Sequence, residues 1–332
     1  MSQDNRSIKN SMVVTKNTLL IGQGLPPFES IKSEDVVPAI TGLLIELEQE
    51  LINLEATVKP TWNDLVEPLQ KLEDRLTWSW GIVGHLMGVK NSPELRKAYN
   101  EIQPKVVEFI NKLNQSQPIY QAFKNLSNSD SWENLDVGQK RIVEATIKDA
   151  ELSGVSLEGE KRENFNAIEL ELAELSNKFS NNVLDATKAF SLTLTKKEEV
   201  DSLPPSLLSL AAQAARDDGA ENATAENGPW RITLDYPSFI PFMQHCKKRE
   251  LREQLYKASI SRASTEELNN YPLIQRILEL RQEKTKILGF NSYAELSLAT
   301  KMAPSVAAVE KLLEELRSCL LYTSDAADDE TS

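Results

Sequence analysis

Between Glu158 and Phe190 the apolar residues Phe165, Ile168, Leu172, Leu175, Phe179 and Val183 recur at steps of three and four. Residues so spaced stack on one side of a helix with 3.6 residues per turn, whereas a strand would send them to alternating faces. The pattern predicts a long amphipathic helix with one buried face. The intervening Glu163, Glu169, Glu171 and Glu174 fall mostly on its outer side. Four carboxylates invite a metal or acid–base reading, but no histidine accompanies them, and a solvated helix face explains them better.

Most of the chain repeats this grammar. Ser33-Glu-Asp-Val opens a capped helix to about Ala56, with Val36, Val37, Ile40, Leu43, Leu44 and Leu47 apolar. Trp62-Asn-Asp-Leu65 opens another, bearing Leu65, Leu69, Leu72 and Leu76, which runs through Trp78 and Trp80 to His85-Leu86-Met87. Ser92-Pro-Glu-Leu95 is a helix start with proline at the first position, where the missing N–H has no partner to lose. Pro104 reads as the start of a further helix, with Val106, Val107, Phe109, Ile110 and Leu113 apolar. Asp136 to about Ser153 carries Val137, Ile142, Val143, Ile147 and Leu152.

The period changes from 3.6 to 2 at two places, Ser191 to Thr195 and Trp230 to Tyr236. Both are strand patterns, and together they predict a small two-stranded ribbon near 191–236. Between them lie a helix, Pro204 to Arg216, and a polar loop, Asp217 to Gly228. Helices then resume over about 239–246, 249–262, 273–288, 292–299 and 305–317. The fold class is mainly α.

Composition narrows function by exclusion. Against 37 Lys and Arg stand 50 Asp and Glu, a formal net charge of −13. That balance argues against a nucleic-acid binder, which needs clustered cations to neutralise phosphate. No eighteen apolar residues run together, so no membrane span is expected. The start is polar and lacks the apolar core of a signal peptide, which makes the cytoplasm the expected compartment. Gly22-Gln-Gly24 has no third glycine and is followed by Pro26-Pro27, so a dinucleotide loop is not expected.

Candidate chemistry is sparse. The cysteines, Cys246 and Cys319, match no metal or redox spacing, and Cys246 reads as a small buried thiol. There are two histidines, His85 and His245, and neither begins a His-Glu-x-x-His motif. His85, beside Leu86 and Met87, reads as a core histidine. His245, before Lys247-Lys248-Arg249, reads as a helix C-terminus, where a cation is favoured. No catalytic, cofactor-binding or metal-ligating residue is assigned.

Several segments, in order, resemble the thimet oligopeptidase (M3) family of zinc metallopeptidases. They are Leu25 to Lys32 with Val36 to Ala39, Val89 to Arg96, Leu172 to Thr187, Asp235 to Pro241, Tyr256 to Ser264, and Leu296 to Ala303. The resemblance covers about residues 17–318. It implies the multi-helix N-terminal lobe of a two-lobed zincin-type oligopeptidase, whose lobes flank a channel admitting short peptides. It implies Zn2+ in the complete enzyme, held in the other lobe by His-Glu-x-x-His and a later Glu. In that chemistry zinc polarises the scissile carbonyl and acidifies a water. None of those residues has a counterpart here, so the chain alone is expected to be inactive and its partner to be a C-terminal catalytic lobe. A non-catalytic helical interaction or scaffold module remains the alternative. Residues 1–16 are expected to be a disordered extension. Residues 319–332 read as a tail foreign to the pattern, of the kind produced by read-through, interrupting the last helix.

Overall fold

Proline and polar caps set where the first helices begin. In the computed structural model, which describes residues 17–329, α1 spans Ser33–Thr57. Ser33 was expected as its cap, but Lys32 holds that position, and its N–H donates to the Asp35 carboxylate at 3.0 Å. Val36, Ile40, Leu43, Leu47 and Leu51 of α1 are fully or almost fully buried. The helix expected from Trp62 opens as a π-helical turn, Trp62–Val66, before α2, Glu67–Val89. Pro68 has no N–H to give to the ladder, which accounts for the loosened turn.

The α3 helix, Pro93–Asn114, corrects the expectation of a new helix at Pro104. Leu95, Ala98, Ile102, Val106, Phe109 and Leu113 lie on one buried face that passes straight through the proline. Burial on both sides of Pro104 outweighs the single backbone bond it cannot make. Ser92 caps α3 as expected, its hydroxyl accepting from the Leu95 N–H at 3.2 Å. A helix not foreseen, α4 at Gln117–Ser127, buries Ile119, Ala122, Phe123 and Leu126. Its signal was present in Ser116 before Pro118, and Ser116 accepts from the Ile119 N–H. These helices and α5, Val137–Leu152, share one hydrophobic core running from Leu19 to Val143.

The α5 helix starts with a reciprocal capping box. Asp136 accepts from the Gln139 N–H at 2.8 Å, and the Gln139 side chain accepts from the Asp136 N–H at 3.0 Å. Its apolar face is covered far less than the sequence suggests. Only Val143 is fully buried, while Val137 is 85% exposed.

The long helix predicted over 158–190 is α6, Gly159–Ala189. Phe165 and Ile168 are buried, whereas Leu172, Leu175, Phe179 and Val183 are half-buried. The chain divides into two compact units, residues 1–171 with 282–332 and residues 172–281, and one boundary falls inside α6.

Within the second unit, β1 (Ser191–Leu194) pairs antiparallel with β2 (Trp230–Thr233), placing Leu194 opposite Trp230 and Leu192 opposite Ile232. This is the expected ribbon. It packs with α7, Pro205–Asp217, and α8, Tyr236–His245, around Leu194, Leu207, Ala211, Trp230, Ile232 and Phe242. The Trp230 indole N–H donates to the Ala225 carbonyl at 3.0 Å. Gly228 has φ +67°, and a Cβ there would come within 2.7 Å of the Trp230 ring, so no other residue fits. The helix α9, Arg249–Ile260, follows. A buried amide pair then ties α6 to the start of α10, Tyr271–Ile287. Asn182 donates to Asn270 at 2.8 Å, and Asn270 donates to the Phe179 carbonyl at 3.1 Å.

The last helices are α11, Tyr293–Leu298, and α12, Val306–Asp329. The expected interruption after residue 318 does not occur, for α12 runs on to Asp329. Ser318 to Asp329 contains neither Gly nor Pro and includes Leu320, Leu321, Ala326 and Ala327, all good helix formers. The expectation of disorder over residues 1–16 lies outside the described residues.

Candidate functional site

A metal-dependent hydrolase needs three or more His, Cys, Asp or Glu side chains converging on one point. His85 was expected in the core, but it is exposed on α2. Ile82, Val83 and Leu86 take the buried face, which turns His85 outward, its ring 5.4 Å from that of Phe28. His245 is the exposed last residue of α8, at the helix C-terminus where it was expected.

Cys246 is buried, as its sequence context suggested. Burial pushes its thiol above the usual range, which disfavours the reactive thiolate. Arg252, in the first turn of α9, donates to the Cys246 carbonyl.

Of the four α6 carboxylates, Glu163 and Glu174 are exposed, while Glu169 and Glu171 are half-buried. Glu169 pairs with Lys284 of α10 at 2.8 Å, and the same ammonium lies 5.3 Å from the centre of the Phe165 ring. This carboxylate is neutralised by a lysine, and so joins helices. Among the described residues, no group of three His, Cys, Asp or Glu is placed to hold a metal ion. The described residues do not fit a catalytic zinc.

The best connected polar cluster sits where α3 ends. The Gln115 amide donates to the Ser153 carbonyl at 2.9 Å and to the Asn166 side chain at 2.7 Å. Its own carbonyl accepts from Arg162 at 3.0 Å, and Ser116 donates to Glu55 at 2.6 Å. The cluster lines an open groove of about 450 Å³. It fastens α1, α3 and α6 to one another, and the Ser116 hydroxyl that meets the Glu55 carboxylate also accepts from the Ile119 N–H as the cap of α4, so this contact serves the packing of the helices. Sequence reasoning passed over it because its members are far apart in the chain and none belongs to a motif.

Residues 40–162 match the family model for the neurolysin/thimet oligopeptidase N-terminal domain, and residues 242–324 match that for peptidase family M3. The chain is 54% identical over 312 residues to organellar oligopeptidase A, chloroplastic/mitochondrial, of Arabidopsis thaliana, a match covering 94% of this chain and 39% of that protein. It is 53% identical over 305 residues to the probable cytosolic oligopeptidase A of the same plant, covering 92% and 43%. It is 38% identical over 306 residues to oligopeptidase A of Escherichia coli K12, covering 90% and 44%. The chain thus spans about two fifths of the length of these relatives.

Proposed function

From the premise that this chain belongs to peptidase family M3, we propose that it is the N-terminal portion of an oligopeptidase A-like zinc endopeptidase acting on short peptides. The observation that carries the reading is the 54% identity extending over 94% of the chain, far beyond any one motif. In this reading the helices described here wall the substrate channel and limit the size of what enters. Hydrolysis and zinc binding belong to the part of the relatives that this chain does not span.

Two structural facts support that division of labour. The two histidines are exposed and stand in separate units, and among the described residues no group of three His, Cys, Asp or Glu is placed to hold a metal ion. Meanwhile α12, which begins inside the segment matched to peptidase family M3, presents bare leucines there that are suited to packing against further protein. No helix among the described residues is long and apolar enough to cross a membrane. The cytoplasmic compartment is part of the proposal, with one similar plant protein named cytosolic and another organellar.

The test is cleavage of a short internally quenched peptide. The 332-residue chain is expected to show no turnover with or without added zinc, while the product of the extended reading frame cleaves the peptide. Zinc-dependent turnover by residues 1–332 alone would overturn the assignment of the chemistry elsewhere. Inactivity of the extended protein would instead favour a helical interaction module.

A further inference from the structure

In the first unit, α2, the end of α3, α4 and α5 enclose a cavity of about 180 Å³. A dry protein cavity of roughly 150 Å³ already accommodates benzene, so this space is large enough for a small organic molecule. Its floor is apolar: Leu69, Leu113, Ile119 and Phe123 are buried, and Ile147 of α5 is half-buried. Two carboxylates line it as well, Glu73 from α2 and Asp149 from α5, both on exposed residues.

The remaining polar groups of the lining are largely committed. The Tyr120 hydroxyl donates to Glu151 at 2.8 Å, and the Thr146 hydroxyl donates to the Ile142 carbonyl at 2.9 Å. No lysine or arginine lines the cavity. Among the described residues, neither Glu73 nor Asp149 has an ion-pair partner. The carboxylates disfavour an anion, and the hydrocarbon floor offers nothing to a hydrated metal ion. What suits both is an apolar body carrying one positive charge.

We propose that this cavity binds a small organic ammonium, an aryl- or alkylamine, with its hydrocarbon against Leu69, Ile119 and Phe123 and its ammonium at Glu73. Desolvation, with repulsion from Asp74 added, raises the Glu73 carboxyl above its usual range, as expected of a carboxylate lacking a cation. The site also accounts for the incomplete burial of Ile147 on α5. That helix has one fully buried residue, Val143, and the cavity lies beside its next inward residue, Ile147.

The experiment titrates the full chain at neutral pH with 2-phenylethylamine, and with 2-phenylethanol and phenylacetate as neutral and anionic molecules of similar shape. Binding is followed by calorimetry and by amide chemical shifts. The ammonium is expected to bind about tenfold more tightly than the alcohol, the range of a charge-assisted hydrogen bond, with shifts concentrated in α4 and α5. Glu73→Gln should bring the amine down to the affinity of the alcohol without lowering the unfolding midpoint, since it removes a charge that desolvation and Asp74 already disfavour. Ile147→Phe, which fills the cavity, should abolish binding of both. Equal affinity for amine and alcohol would overturn the proposal. So would amine binding that survives Ile147→Phe, or no binding up to the solubility limit.

Discussion

Helices α1 and α12 are nearly the same length, 25 and 24 residues, and both carry a leucine-rich stripe. In α1 the stripe is enclosed, with Ile40, Leu47 and Leu51 wholly buried against the other helices of the first unit. In α12 every residue from Glu310 to Leu321 is exposed, with Leu312, Leu313, Leu316 and Leu320 each at least half open to solvent. Periodicity therefore reports that a helix has an apolar side. It does not report what covers that side. The same amphipathic pattern is a core in one place and a bare surface in the other.

The largest effect should come from the enclosed stripe. Leu47→Ala removes a side chain with no exposed surface and leaves a cavity the neighbouring helices cannot fill. The expected loss is about 2–5 kcal/mol, measured as a lower urea midpoint for the first unit. A loss below about 0.5 kcal/mol, the level of an ordinary surface change, would remove the distinction between the two helices.

Much of the fold could be read from the chain because its signals are local. The capping box at Asp136 and Gln139, the cap at Ser92, the strand alternation at 191–194 and 230–233 (expected to reach Tyr236, which instead opens α8), and the long stripe of α6 each depend on residues within a few turns. The errors arose where tertiary packing decided. Pro104 breaks no helix because Ile102 and Val106 are buried on either side of it. His85 sits among apolar neighbours in sequence, yet a rotation of one position puts it in water. The cavity beside Glu73 was equally hidden: Leu69 and Ile147 both read as core, and a gap between core residues leaves no trace in periodicity. Family membership was legible from ordered segments, whereas no element of the fold itself implies peptide hydrolysis.

A smaller effect is expected on the outer side of α1. Arg75 of α2 reaches across to Glu46 at 2.6 Å and to Glu50, holding two carboxylates one turn apart. The guanidinium is more than a third exposed, so water and salt screen it. Arg75→Met should therefore cost less than about 1 kcal/mol, and the loss should shrink further at high ionic strength. Urea midpoints in low and high salt would decide this. A salt-independent loss would mean that the arginine stem, and not its charge, is what joins α1 to α2.

The smallest effect on stability, and the most direct probe of the comparison, is the double substitution Leu312→Glu with Leu316→Glu. Both side chains are about half exposed at one helical turn's spacing, so nothing folded is lost, and the urea midpoint should move by no more than about 0.5 kcal/mol. Association is a different matter. A leucine row of this kind is what a soluble protein normally covers, and the unchanged chain should self-associate through it. Two carboxylates on the row would oppose a second copy by charge and by desolvation. Sedimentation velocity should therefore shift from oligomer to monomer while the midpoint stays fixed. If stability fell by the amount expected for Leu47→Ala, the α12 stripe would be enclosed, and the two helices would be alike after all.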